Sequence, residues 1–117
     1  MKEKIFINAR IIDPSQQIDE KGSLIINEDG KVKAIGKNIK KDEASSSAEV
    51  IDLKNNILIP GIVDMKAFVG EPGFEYKENF RTLSQAALAG GVTSIVTMPN
   101  TNPIIDNVSM VDFIIRR

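Results

Sequence analysis

From Pro60 onward the chain changes rhythm, and that change constrains its fold more than any other feature. Pro60-Gly61 breaks the chain before an almost wholly apolar run containing Ile62, Val63 and Met65. Such a run suits a strand buried on both faces, as in a parallel sheet covered by helices. Residues 79–89 then place Phe80, Leu83, Ala87 and Leu88 at helical spacing, and Gly90-Gly91 supplies a stop just past the helix end. The β-branched run Val92 to Met98 reads as the next strand. Asp106 is placed to cap a second helix through Val108, Val111 and Ile115. These are two successive βα units of about thirty residues each, the pattern of an α/β barrel or a doubly wound sheet. Two parallel strands with apolar faces do not finish a core, so the sequence reads as part of a longer protein.

The first sixty residues have a different texture, with short strands separated by turns. Residues 4–8, 10–12 and 22–27 are extended, and Glu28-Asp29-Gly30 is a turn before residues 31–36. Asp-Gly between two apolar runs is a strong hairpin signal, because glycine takes the positive φ the turn needs. Ser23 to Asn27 and Lys31 to Ile35 are expected to pair. Lys37 to Ala48 is polar without an apolar period and reads as a solvated loop, its charges a surface and not a binding site. Extended structure resumes at Glu49, with Asn55-Asn56 as a turn.

Composition removes several chemistries. With 15 basic and 16 acidic residues the net charge is -1, and no field points to nucleic acid or an acidic membrane. Nor is there an apolar stretch near the ~20 residues that span a bilayer, or a signal-peptide core, so a cytoplasmic protein is expected. The chain has no cysteine and no histidine. A metal site built within it would therefore have to be all-carboxylate.

The segments ILIPGIVDMKAFVGEPGFEYKENF and AALAGGVTSIVTMPNTNPIID carry an ordered set of landmarks: Pro60-Gly61, Asp64, Glu71-Pro72-Gly73, Glu75, Lys77-Glu78, Gly90-Gly91 and Met98 to Thr101. A lone Glu-Pro-Gly or Gly-Gly would be weak, but the whole set at matched spacing resembles the type I dihydroorotases, cyclic amidohydrolases of the amidohydrolase superfamily. The resemblance implies an α/β fold. Residues 1–58 would form a small β-rich part of a composite β-sandwich, and residues 59–117 the first two βα units of an incomplete TIM-type barrel. Barrel active sites lie at the C-terminal ends of the strands.

Active members of that family end the first strand in Asp-Met-His-x-His-x-Arg. The two histidines hold zinc and the arginine holds the substrate carboxylate. In the same frame this chain has Lys66, Phe68 and Gly70. An ammonium repels a metal cation and a phenyl ring offers no lone pair. Metal coordination would lower the pKa of bound water from about 15.7 to about 7, so losing it withholds about eight pK units, about 11 kcal/mol, in generating hydroxide. No metal cofactor is expected from this segment, although zinc serves the active members. Asn100 matches a family substrate-binding position, and asparagine equally suits a turn at Pro99 to Thr101.

The other residues have plainer readings beside the chemical ones. Asp64 is expected to support the strand end rather than to bind metal. Lys66 is either a new catalytic lysine or, as favoured, a cation filling the emptied metal cavity. Phe68 is a hydrophobic plug. Glu71, Glu75 and Glu78 resemble paired carboxylates for acid/base work, yet they flank a helix start where acids suit the helix dipole.

The resemblance thus implies a dihydroorotase-like protein of pyrimidine biosynthesis with a degenerate zinc site. It would be non-catalytic, a structural partner of aspartate carbamoyltransferase, and a homo-oligomer when full length. One alternative is an active dihydroorotase, allantoinase-like or hydantoinase-like enzyme, hydrolysing a cyclic amide with a metal held by residues beyond this segment. The other is an inactive truncated product, expected to aggregate through its uncovered strand edge.

Overall fold

A computed structural model describes all of residues 1–117, and the chain divides into two compact units, Met1–Pro60 and Gly61–Arg117. The architecture is α/β, with a mixed sheet, a parallel strand pair and two helices. No helix is long and apolar enough to cross a membrane.

The first unit is a single mixed sheet built around β1 (Lys4–Asp13). Strand β2 (Ile18–Ile26) runs antiparallel to β1 on one side, and β3 (Val32–Gly36) pairs antiparallel with β2. On the other side of β1 lie β4 (Glu49–Asp52) and β5 (Ile57–Leu58), both parallel to it. The expected hairpin forms. Gly30 has φ 79°, and the Asn27 side-chain oxygen accepts from the Asp29 and Lys31 N–H groups.

Three local readings need correction. The extended stretches at 4–8 and 10–12 are one strand, interrupted by a register shift between Phe6 and Ala9 where Asn8 takes φ 55°. The Asn8 amide is anchored there on Asp52. The turn expected at Asn55-Asn56 is centred one residue earlier, with Lys54 and Asn55 at positive φ. Lys37 to Ala48 is not wholly solvated. A 3-10 turn at Lys41–Glu43 folds the chain back and buries Ala44 against Ile5 and Ile25, with Ile39 and Ala48 beside them.

In the second unit β6 (Ile62–Ala67) and β7 (Val92–Thr97) pair in parallel, connected through α1 (Phe80–Ala89). Asn79 caps α1, its side-chain oxygen accepting from Thr82 N at 3.0 Å, and Gly90 and Gly91 end the helix. Helix α2 (Val108–Ile115) follows β7. Its cap is Asn107 and not Asp106: Asn107 Oδ1 accepts from Met110 N at 3.1 Å, while Asp106 accepts from the Asn107 amide. The helix ends on Arg116, whose N–H returns to the Asp112 carbonyl.

The burial expected for the strand after Pro60 is also overturned. Ile62, Val63 and Met65 are exposed, Met65 by 71%. Burial on both faces depends on neighbouring elements, and none lies over these side chains in this chain. What the second unit buries is the end of β6 and the loops that follow: Ala67, Val69, Gly70, Glu71, Pro72 and Thr101.

Candidate functional site

Burial begins at the last residue of β6 and continues into the loop that follows. Ala67 and Val69 are buried, Val69 completely, while Lys66 before them and Phe68 between them are exposed. Lys66 lies within the register irregularity near the end of β6, and Phe68 just beyond the strand end. Asp64 supports the strand end, where its Oδ1 accepts from Lys66 N at 2.9 Å, at an irregularity in the β6–β7 register.

The loop after β6 is closed by its own hydrogen bonds. Phe74 N donates to the Gly70 carbonyl at 2.6 Å, and Lys77 N to the Phe74 carbonyl at 2.8 Å. Both Glu75 carboxylate oxygens accept from Gly73 N, at 2.9 and 3.0 Å. The Gly73 N–H, then Glu75's own N–H, with Arg117 adding a smaller attraction, hold the Glu75 carboxyl below the usual carboxylate range. Aromatic side chains line the outside of the loop. Phe68 and Phe74 have ring centroids 6.2 Å apart, Phe74 and Tyr76 6.5 Å apart, and the Lys77 ammonium lies over both Phe74 and Tyr76. Phe68 is thus 37% exposed and engaged with the loop, a partial fit to the plug expected of it.

Glu71, one of the glutamates read as flanking a helix start, is the buried polar centre of the unit. It is 3% exposed, accepts from Phe80 N at the start of α1 at 3.1 Å, and accepts from Arg117 Nε at 2.5 Å. The carboxylate therefore ties three segments together and satisfies an otherwise unpaired N–H of the helix start. Glu78 also serves that start, accepting from Asn79 N and from the Thr82 hydroxyl. Glu75 instead turns back on its own loop. The three glutamates are thus engaged by main-chain groups and do not form an acid/base pair.

The loop after β7 carries Asn100, which is exposed, and is braced by Thr101, whose hydroxyl donates to the Pro103 carbonyl at 2.8 Å. Asn102 N donates to the Pro72 carbonyl at 3.0 Å, so the two loops at the strand ends are bonded to each other. Gly73 is needed at this junction: it has φ 96°, and a Cβ there would collide with the Asn102 carbonyl.

Residues 55–117 match the dihydro-orotase-like family model. The chain belongs to the dihydroorotase-like family. Among its relatives, the dihydroorotase of Pelobacter propionicus is 44% identical over 110 residues, covering 94% of this chain and 25% of that protein. The dihydroorotase of Aquifex aeolicus is 43% identical over 117 residues, 100% of this chain and 26% of its own length. That of Chlorobaculum tepidum is 43% identical over 103 residues, 88% and 24% respectively. The chain spans about a quarter of the length of the curated relatives it matches.

Dihydroorotases generally depend on zinc, but the residues at this strand end do not fit that ion. Lys66 brings an ammonium and Phe68 a ring already packed against Phe74. No group of three or more His, Cys, Asp or Glu side chains is assembled to hold a metal.

Proposed function

We propose that the full-length protein is a dihydroorotase-like component of de novo pyrimidine biosynthesis in the cytoplasm that has given up metal-dependent ring hydrolysis. It serves as a structural partner of aspartate carbamoyltransferase, in homo-oligomeric form. In this reading residues 59–117 open a (β/α) barrel, and residues 1–58 contribute one part of a composite β-sandwich. Lys66, Phe68 and Gly70 occupy the positions of the two zinc ligands and the substrate arginine, and Asn100 keeps a substrate-binding position.

The observation that supports the reading is that Lys66 and Phe68, both exposed, stand at the end of β6. Neither side chain donates to a metal. The buried Glu71, the Gly73 junction and the capped start of α1 follow them in the chain.

Co-expression of the full-length protein with aspartate carbamoyltransferase tests the proposal. Comigration in size-exclusion chromatography, with no opening of dihydroorotate by the full-length protein alone, is the expected result. Separate elution together with dihydroorotate turnover refutes it. The intact, bonded loop carrying Asn100 favours a second reading, a working cyclic amidohydrolase whose metal is held by residues outside this chain. Metal-dependent turnover by the full-length protein would select that reading.

A further inference from the structure

The segment between β3 and β4 is tied to the first unit at very few points. Residues 40–47 are exposed except for Ala44, which is buried against Ile5 and Ile25, and Ile39 and Ala48 on either side pack on the same cluster. Most hydrogen bonds of the segment stay inside it. Glu43 N donates to the Lys40 carbonyl, Ala44 N to the Lys41 carbonyl, Ala48 N to the Ser45 carbonyl, and Lys40 N to the Glu43 carboxylate. Two others tie residues 40–47 to the rest of the unit. Ser45 N donates to Glu3 Oε1 at 3.3 Å, and the Lys33 ammonium donates to the Glu43 carbonyl at 3.1 Å. Both ties meet at one carboxylate, because Lys33 Nζ also donates to Glu3 Oε1, at 3.1 Å. The Glu3 side chain is only 11% exposed, and the Glu3 carbonyl accepts from Glu49 N at the start of β4. Packing beside Ala44 is incomplete: a hollow lies between Ile5 and Val50 of the sheet and Lys41, Ser45 and Ala48 of the segment.

We propose that residues 40–47 form a strap that opens as one piece while the sheet stays folded, with Glu3 as its latch. Opening breaks the two ties and undocks a single alanine methyl, and it costs none of the bonds that pair β1 with β2, β4 and β5. The apolar area released by one methyl is small, so most of the resistance to opening lies in the charged latch. Local openings of this kind lie well below global unfolding in free energy. The open strap uncovers the floor formed by Ile5 and Ile25. The inference concerns the first unit alone and is independent of the proposed function.

Native-state digestion of the full-length protein with trypsin, read by mass spectrometry, follows the strap through cleavage after Lys40 and Lys41. Cleavage after Lys21, within β2, is the reference for global unfolding. When reclosing is fast relative to cleavage, each rate follows the population of its open form. Strap cleavage is expected to change little with sub-denaturing urea, while cleavage after Lys21 rises steeply. Glu3→Ala is expected to raise strap cleavage about tenfold, still without urea dependence. Glu28→Ala, which removes an exposed acid from the hairpin turn, is expected to leave strap cleavage within about twofold. Strap cleavage that rises with urea in step with cleavage after Lys21 would overturn the inference, as would Glu3→Ala within about twofold of the unmodified protein.

Hydrogen exchange of the unmodified full-length protein covers the case in which Glu3→Ala does not fold. The N–H groups of Glu43, Ala44 and Ser45, all bonded in the closed strap, are expected to exchange about tenfold or more faster than those of β1, without dependence on sub-denaturing urea. Exchange at the pace of β1, with the same urea dependence, would show that the strap opens only with the whole unit and would overturn the inference.

Discussion

The two units of the chain bury different things. In Met1–Pro60 the buried side chains lie mainly on strands: Ile5, Ala9 and Ile11 on β1, and Leu24 and Ile25 on β2. In Gly61–Arg117 the strand faces are largely open, and burial collects at the end of β6 and in the loops carrying Glu71 and Thr101. The first unit is organised by apolar contact across paired strands. The second is organised at its strand ends by main-chain hydrogen bonds, one buried carboxylate and glycines in left-handed conformations. The loop geometry of the second unit therefore rests on atoms other than the exposed side chains of Lys66 and Phe68.

The largest test of this contrast is a truncation in each unit. Ile25→Ala removes a side chain with 0% exposure and is expected to cost about 2–5 kcal/mol in chemical denaturation of the chain. Met65→Ala, in a strand that by hydropathy alone is the more buried, is expected to stay within about 0.5 kcal/mol in the same chain. Equal costs would break the comparison.

Next in size is the polar anchor. Glu71→Ala removes the acceptor of Phe80 N and Arg117 Nε, and is expected to lower stability by about 2–3 kcal/mol, measured by urea denaturation. A neutral outcome would mean that the second unit is not held by its loops.

Asn107→Ala is expected to cost about 1 kcal/mol through loss of the α2 cap, while Asp106→Ala stays within about 0.5 kcal/mol. The reverse order would make Asp106 the cap.

The smallest effect is one of pH. The Glu75 carboxyl is held below its ordinary range in the folded loop, chiefly by the Gly73 N–H. Its contribution to stability is complete above the ordinary carboxylate pKa of the unfolded chain and is lost as pH falls through the lower folded value. Glu75→Gln should therefore flatten the acid limb of a stability–pH curve and leave its neutral region nearly unchanged.

Elements defined by local chemistry are legible in the residues themselves. Asp29-Gly30 dictates a hairpin by the φ its glycine allows, and α1 is written in the spacing from Phe80 to Leu88 with Gly90-Gly91 behind it. The choice between Asp106 and Asn107 is not legible there, because both side chains can cap and only backbone direction decides which oxygen meets Met110 N. Ala44 is hidden for another reason. A single apolar residue in a polar run has no period, and a 3-10 turn carries it into the core. At the candidate site the family resemblance proposes positions 66, 68, 70 and 100, but nothing in residue identity reveals that Glu71 is buried or that main-chain carbonyls crowd position 70. Those facts arise where the loop folds back on itself.

The end of β6, with Lys66 and Phe68 at the proposed ligand positions, is proposed to have left metal chemistry. Metal analysis of the purified full-length protein, combined with a dihydroorotate ring-opening assay on the same sample, tests it most directly. Zinc well below one ion per chain and no ring opening are expected. Stoichiometric zinc accompanied by zinc-dependent ring opening would contradict it.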